Sequence, residues 1–85
     1  MKQEVLWFQE AVDQLFDLSS RQPRQASRIL LTVRSYGRDG RGDLKKLSGT
    51  SDEWRLRSGD WRVFCVMDGS RVYVTGIDNR RDAYR

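Results

Sequence analysis

The chain reads as an α+β fold: a short N-terminal strand, then two antiparallel helices packed on one face of a small antiparallel sheet. Two observations predict this. Apolar residues recur every three or four positions between Phe8 and Tyr36, and every second position between Trp54 and Ile77. The pairs Gly59-Asp60 and Asp68-Gly69 then cut the second stretch into three segments at hairpin spacing. With 85 residues in all, the sequence supports one domain, residues 1–85, with a modest core.

Each element has its own signal. Glu4 to Trp7 reads as a short extended start. Phe8, Ala11, Val12, Leu15, Phe16 and Leu18 make one apolar stripe, and Glu10, Asp13, Gln14 and Asp17 fill the opposite face, as in an amphipathic helix. Ser19-Ser20-Arg21-Gln22-Pro23 breaks it, with Pro23 suited to the first turn of the next helix. Ala26, Ile29, Leu30 and Val33 form the second stripe, which ends near Tyr36-Gly37; so short a connection makes the helices antiparallel neighbours. Trp7, Phe8 and Phe16 are expected to pack in the core or between helices. Arg38 to Ser51 reads as a glycine-rich loop with a short turn through Leu44 and Leu47. Three strands follow, at about 53–58, 61–67 and 71–77, and the tail Asp78–Arg85 closes the chain.

Composition excludes several chemistries. There is no histidine, which removes the Ser-His-Asp and Cys-His arrangements and the side chain best suited to proton transfer near neutrality. A single cysteine forms no internal disulfide and no Cys-rich zinc site, so no metal and no cofactor is expected. Met1-Lys2-Gln3-Glu4 lacks a signal-peptide pattern, and no apolar run approaches the roughly 20 residues that span a bilayer. A cytoplasmic protein without membrane contact is the expectation. The net charge is +4, and of the sixteen basic residues only Lys2, Lys45 and Lys46 are lysine. Guanidinium grips phosphate through a planar fork of donors, so this balance suits nucleic acid or an acidic partner; a solubilising surface has the same composition.

Two-residue turns at Gly59-Asp60 and Asp68-Gly69 would fix the sheet register. Leu56 would face Val63, Trp54 would face Cys65, and Arg57 would face Arg62 across the first hairpin. Across the second, Cys65 would face Val72, Val63 would face Val74, Phe64 would face Tyr73, and Arg62 would face Thr75. Trp54, Leu56, Trp61, Val63, Cys65, Met67, Val72 and Val74 then share one apolar face that covers the helices. The other face holds Arg55, Arg57, Arg62, Phe64, Tyr73 and Thr75, with no carboxylate at those positions. Such a cluster suits an anion, although Asp52, Asp60 or Asp78 could pair with it. Arg80 and Arg81 follow the last strand, and Phe64, Tyr73 and Tyr84 offer rings on which unstacked bases pack. Lys45 and Lys46, placed in the loop, would extend the basic rim. Cys65 is expected to be a buried packing residue.

Three stretches together resemble the RelE/ParE superfamily of type II toxin–antitoxin toxins. They are Leu44-Lys45-Lys46-Leu47-Ser48-Gly49, Trp54-Arg55-Leu56-Arg57-Ser58-Gly59-Asp60-Trp61-Arg62-Val63-Phe64, and Asn79-Arg80-Arg81-Asp82-Ala83-Tyr84-Arg85. The resemblance implies a RelE-like fold, a cognate antitoxin as partner, and a sheet face that binds mRNA in the ribosomal decoding site. In the RelE branch, an mRNA interferase, it implies metal-independent cleavage by attack of a ribose 2′-hydroxyl on the adjacent phosphate, and so inhibition of translation. It places Arg62 at the scissile phosphate, Arg55 and Arg57 at basic positions often held by lysine, Arg80 or Arg81 near the leaving oxygen, and Tyr84 on the substrate. Asn79 stands where many members have histidine. Arginine, with a pKa above about 12, is a poor general base; Tyr84, Asp43 and the RNA itself are candidate proton acceptors. The resemblance also implies two other outcomes: a ParE-like inhibitor of DNA gyrase without ribonuclease activity, or an inactive member kept as a binding module.

Overall fold

The computed structural model describes residues 2–47, 49 and 52–79. In chain order they form β1 (Glu4–Trp7), α1 (Gln9–Arg21), α2 (Pro23–Asp39), β2 (Asp43–Lys46), β3 (Glu53–Ser58), β4 (Trp61–Asp68) and β5 (Arg71–Asn79). The sheet order is β1-β5-β4-β3-β2. β1 runs parallel to β5 and every other pairing is antiparallel, so the sheet is mixed rather than purely antiparallel. The two helices carry the chain from β1 at one edge of the sheet to β2 at the other, and the antiparallel run from β2 to β5 brings it back beside β1.

α1 buries Ala11 and Leu18 against the sheet, with Leu15 packed beside them. Phe8, just before α1, lies against Tyr73, and Phe16 lines the groove between α1 and α2; they are 50% and 72% exposed. Neither ring lies in the core; Phe16 instead borders the groove between the helices, the other placement expected of it. Trp7 does pack against the core. Only Gln22 separates the helices. α2 buries Ala26, Ile29, Val33 and Tyr36, while Leu30 remains 40% exposed. Pro23 opens α2, Gln22 gives no side-chain cap, and the first turn holds no acidic residue. Arg24 in that turn faces the positive end of the helix dipole, which costs about 0.3–1 kcal/mol. At Gly37 the helix presses on β1. A Cβ there would lie 2.6 Å from Val5 Cγ2, and the Gly37 carbonyl accepts the Gln3 amide at 2.7 Å.

The stretch expected to be a loop with a turn through Leu44 and Leu47 contains a strand instead. β2 pairs antiparallel with β3, and half-buried Leu44 lies opposite Leu56. The free edge of β3 supplies the backbone partners that the charged segment lacks by itself, and Lys45 and Lys46 blunt the new edge.

The first hairpin has the register that the sequence predicts, including Leu56–Val63, Trp54–Cys65 and Arg57–Arg62. The second does not. Asp68 faces Arg71, so the turn is Gly69-Ser70, with Gly69 at φ 59°. Glycine at the first central position suits a type II′ turn, whereas an Asp68-Gly69 turn would force Asp68 into the left-handed region. Cys65 consequently faces Val74, and Val66 faces Tyr73. A β-bulge between Phe64 and Cys65 then shifts the pairing again, so that Phe64 faces Gly76, Val63 faces Ile77 and Arg62 faces Asp78. The Gln14 side chain holds the bulged segment by accepting the Ile77 amide at 2.7 Å, and Thr75 Oγ1 donates to the Phe64 carbonyl at 3.2 Å. The extra residue turns Ile77 inward, where it joins Leu56, Val63, Cys65, Val72 and Val74 in the core.

Candidate nucleic-acid interface

Both helices pack on one face of the sheet, and register with alternation assigns the residues of the other. Three rows cross that open face. Asp43, Arg57, Arg62 and Asp78 lie in one row from β2 to β5. Lys45, Arg55, Phe64 and Gly76 lie in the next. Glu53, Val66, Tyr73 and Leu6 form the third. The face is therefore basic toward β3 and apolar toward β1, where Phe8 meets Tyr73 edge-on with ring centroids 6.1 Å apart.

The first row corrects the expectation that no carboxylate stands among the arginines. Asp43 faces Arg57 because β2 exists, and Asp78 faces Arg62, in place of Thr75, because the turn and the bulge move the register. Arg62 is half-buried and is held by further contacts. Arg57 faces Arg62 in the register and is engaged at the β3–β4 turn, where its Nε donates to the Gly59 carbonyl at 3.1 Å.

Arg55 differs. Among the described residues its buried Nε has no hydrogen-bond partner, and no carboxylate lies within 4.0 Å of it. A buried donor without a partner costs roughly 1–3 kcal/mol, so the position is poor for stability and suited to an incoming anion. Lys45 lies directly across from Arg55. Lys46 does not extend the rim as expected: it alternates to the opposite side, with Nζ 6.0 Å from the Trp54 ring centroid. Arg71 is already engaged, its Nε 3.1 Å from Glu4 Oε1. Tyr73 and Glu4 hold its guanidinium above the usual arginine range.

Phe64 and Tyr73 are half-buried on the open face, as the sequence predicts. Phe64 borders a hollow of about 450 Å³ that is also lined by Thr75, Gly76 and three carboxylates, Asp78, Glu10 and Glu53. Cys65 faces the core at 2% exposure, and burial pushes its thiol pKa up to about 12, so it is no nucleophile. Arg80, Arg81 and Tyr84 lie outside the described residues. Sequence reasoning named Asp78 as a possible partner of the arginines and Asp43 as a candidate proton acceptor but placed neither in the arginine row. It also missed the apolar half built by Leu6, Phe8 and Val66. A preference for Gly69-Ser70 over Asp68-Gly69 at the second turn would have moved Arg62 off Thr75.

No family model and no curated protein sequence matches the chain. Solved structures do. A chain of the RelBE2 toxin–antitoxin complex from Mycobacterium tuberculosis superposes with a TM-score of 0.79 at 19% identity, over 94% of this chain and 100% of that one. A chain of the archaeal RelE–RelB complex from Pyrococcus horikoshii gives 0.75 at 23% identity, over 94% and 97%. A chain of the chromosomal ParDE toxin–antitoxin system from P. aeruginosa gives 0.68 at 12%, over 91% and 95%. The RelE/ParE fold is thereby established, and identities this low establish the fold alone.

Proposed function

We propose that this chain, which has the RelE/ParE fold, is the toxin of a type II toxin–antitoxin system and a ribosome-dependent endoribonuclease. The observation that carries the reading is Arg55 Nε, a buried donor without a partner on an open sheet face next to Phe64 and opposite Lys45. That arrangement supplies an anion grip beside a stacking surface, which single-stranded RNA needs.

In the proposed reaction, the 2′ oxygen of one ribose forms a bond to the neighbouring phosphorus, and the bond from phosphorus to the 5′ oxygen breaks. Arg55 and Arg62 hold the phosphate and neutralise charge on the pentavalent intermediate, commonly the largest catalytic contribution. Phe64 and Tyr73 stack the flanking bases. The 2′ proton goes to a carboxylate, and the departing 5′ oxygen takes a proton from water, which leaves a 2′,3′-cyclic phosphate and a free 5′-hydroxyl. Asp78 is the acceptor that the register favours, since it faces Arg62 directly, and Asp43 closes the other end of the same row. Arg80 or Arg81 assists the leaving oxygen, and Tyr84 orients the substrate, as the family resemblance implies. Lys45 adds long-range attraction. The cleaved message is held in the ribosomal decoding site.

A cognate antitoxin is the proposed protein partner, since two of the similar structures described above are complexes of toxin with antitoxin. Its apolar segment would seat in the groove of about 360 Å³ between α1 and α2, where Phe16 and Leu30 stand exposed.

Primer extension on a reporter message, with wild type and Arg62→Ala expressed in cells, tests the nuclease. Codon-positioned cuts are expected from wild type and are lost in the variant; cuts persisting unchanged remove Arg62 from the mechanism. Likeness to the ParDE chain supports a second reading, inhibition of DNA gyrase. Lost supercoiling by purified gyrase, with messages intact, would select it. Harmless overexpression without antitoxin would instead indicate an inactive binding module.

A further inference from the structure

A hollow of about 790 Å³ runs along the flank of α2, separate from the hollow beside Phe64. Arg24, Ser27, Arg28 and Thr32 line it from the helix, and Arg41 and Arg57 from the sheet edge. No carboxylate among the described residues lines it. The helical residues along it, from Arg24 to Ser35, cover about 17 Å at 1.5 Å per residue, room for several nucleotides.

Four guanidinium groups around one hollow repel one another. Two of them converge on one turn: Arg57 Nε donates to the Gly59 carbonyl, and Arg28 Nη1 lies 3.5 Å from the position a Gly59 Cβ would occupy. The uncapped amino end of α2, carrying Arg24 where an acidic residue would be favourable, adds positive potential at one end. Nothing within the described hollow relieves this charge.

We infer that the hollow is a second anion site, which takes the phosphodiester backbone of RNA. Guanidinium forks, the hydroxyls of Ser27 and Thr32 and the helix amino end match phosphate oxygens. Leu31, 62% exposed on the same flank, gives a sugar or base an apolar wall. Arg57 makes the hollow continuous with the open face, because it is the strand neighbour of Arg62 and also lines the hollow. An RNA chain lying on the open face can therefore pass over the end of β3 and onto α2. A segment of folded RNA presents the same phosphates. The site does not depend on cleavage.

The test uses the whole purified chain and fluorescein-labelled oligouridylate of 16 nucleotides. In Arg24→Gln/Arg28→Gln the affinity is expected to fall about tenfold near 0.1 M salt. The slope of log affinity against log salt should shrink by about 1.4, two contacts at about 0.7 each for a single strand. Arg24→Lys/Arg28→Lys should keep the slope. The Nε–Hε resonances of Arg24 and Arg28 should shift on titration with the same RNA, in wild type and in Arg62→Ala alike. A hairpin RNA of equal charge separates a folded source from a single strand. Unchanged affinity and slope in the glutamine pair, or unmoved resonances in wild type, would overturn the proposal. So would an oligoglutamate of equal charge that shifts those resonances more strongly than RNA does. Binding rather than cutting is read, so the outcome is independent of whether wild type cleaves messages.

Discussion

Gln14 Oε1 accepts the backbone amide of Ile77 at 2.7 Å, joining α1 to β5 where β5 carries its extra residue. The bond gives the Ile77 amide a partner on a stretch of β5 that lies past the last β1 pairing, Trp7 with Val74. Because pairing beyond the bulge places Asp78 opposite Arg62, Gln14 sets the register of the candidate site while standing outside it. Gln14→Leu is expected to cost about 1–3 kcal/mol, the penalty of an orphaned buried amide. Urea denaturation gives the magnitude. Amide exchange at Ile77 should accelerate more than exchange at Val72, and equal acceleration at both would mean that the bond does not hold the bulge.

Arg55 and Arg57 are adjacent outward positions of β3 but meet different surroundings. Arg55 holds a buried, unpartnered Nε, whereas Arg57 is bonded to the Gly59 carbonyl. Arg55→Leu removes a desolvated donor, so its melting temperature should stay level or rise, while affinity for a short single-stranded RNA falls at least tenfold. Arg57→Gln should lower the same affinity less. Equal losses in the two variants would contradict the difference in roles.

The proton acceptor can be tested separately from binding. Asp78→Asn keeps the shape, removes a negative charge facing Arg62, and cannot take a proton. Cleavage should slow by roughly 10²-fold or more, with RNA affinity unchanged or higher. Full activity in Asp78→Asn, with loss in Asp43→Asn, would move the role to the other end of the row.

Periodicity in the sequence was enough to locate both helices, the three long strands and the whole first hairpin, since Gly59-Asp60 admits one favourable two-residue turn. The second hairpin was ambiguous because Asp68-Gly69-Ser70 offers two such turns, and Asp-Gly is locally attractive. The bulge left no local signal at all. It depends on Gln14, 63 positions away, giving its side-chain carbonyl to Ile77. β2 was equally hidden, since Asp43-Leu44-Lys45-Lys46 has weak strand preference and is recruited by the edge of β3. Both misses bear on electrostatics. Alternation alone assembled the arginines, but long-range pairing decided which carboxylates face them.

Phe16 is the most exposed of the large apolar side chains in the described structure, at 72%. If an antitoxin segment seats between α1 and α2, Phe16→Asp should abolish rescue by co-expressed antitoxin and leave toxicity intact. Solubility of the free chain should improve, because an exposed ring is lost. Rescue at wild-type strength would place the antitoxin elsewhere.

Burial of Cys65 adds a pH dependence to stability on the alkaline side. Burial raises its thiol to about 12 in the folded chain, against about 8.5 for a free thiol. Between those values the unfolded chain releases a proton that the folded chain retains. This contribution is therefore fully present below about pH 8.5 and declines as pH rises, by about 1.4 kcal/mol per pH unit until the folded value is reached. Tyr36, also raised by burial, acts in the same direction above its own free value near 10. Cys65→Ala should lose stability near neutrality, from the small cavity, yet show a flatter decline between pH 9 and 11. Equilibrium urea melts across that range measure both effects. Parallel curves for wild type and variant would mean that the thiol is more accessible than its 2% exposure implies, and native iodoacetamide labelling would then be fast.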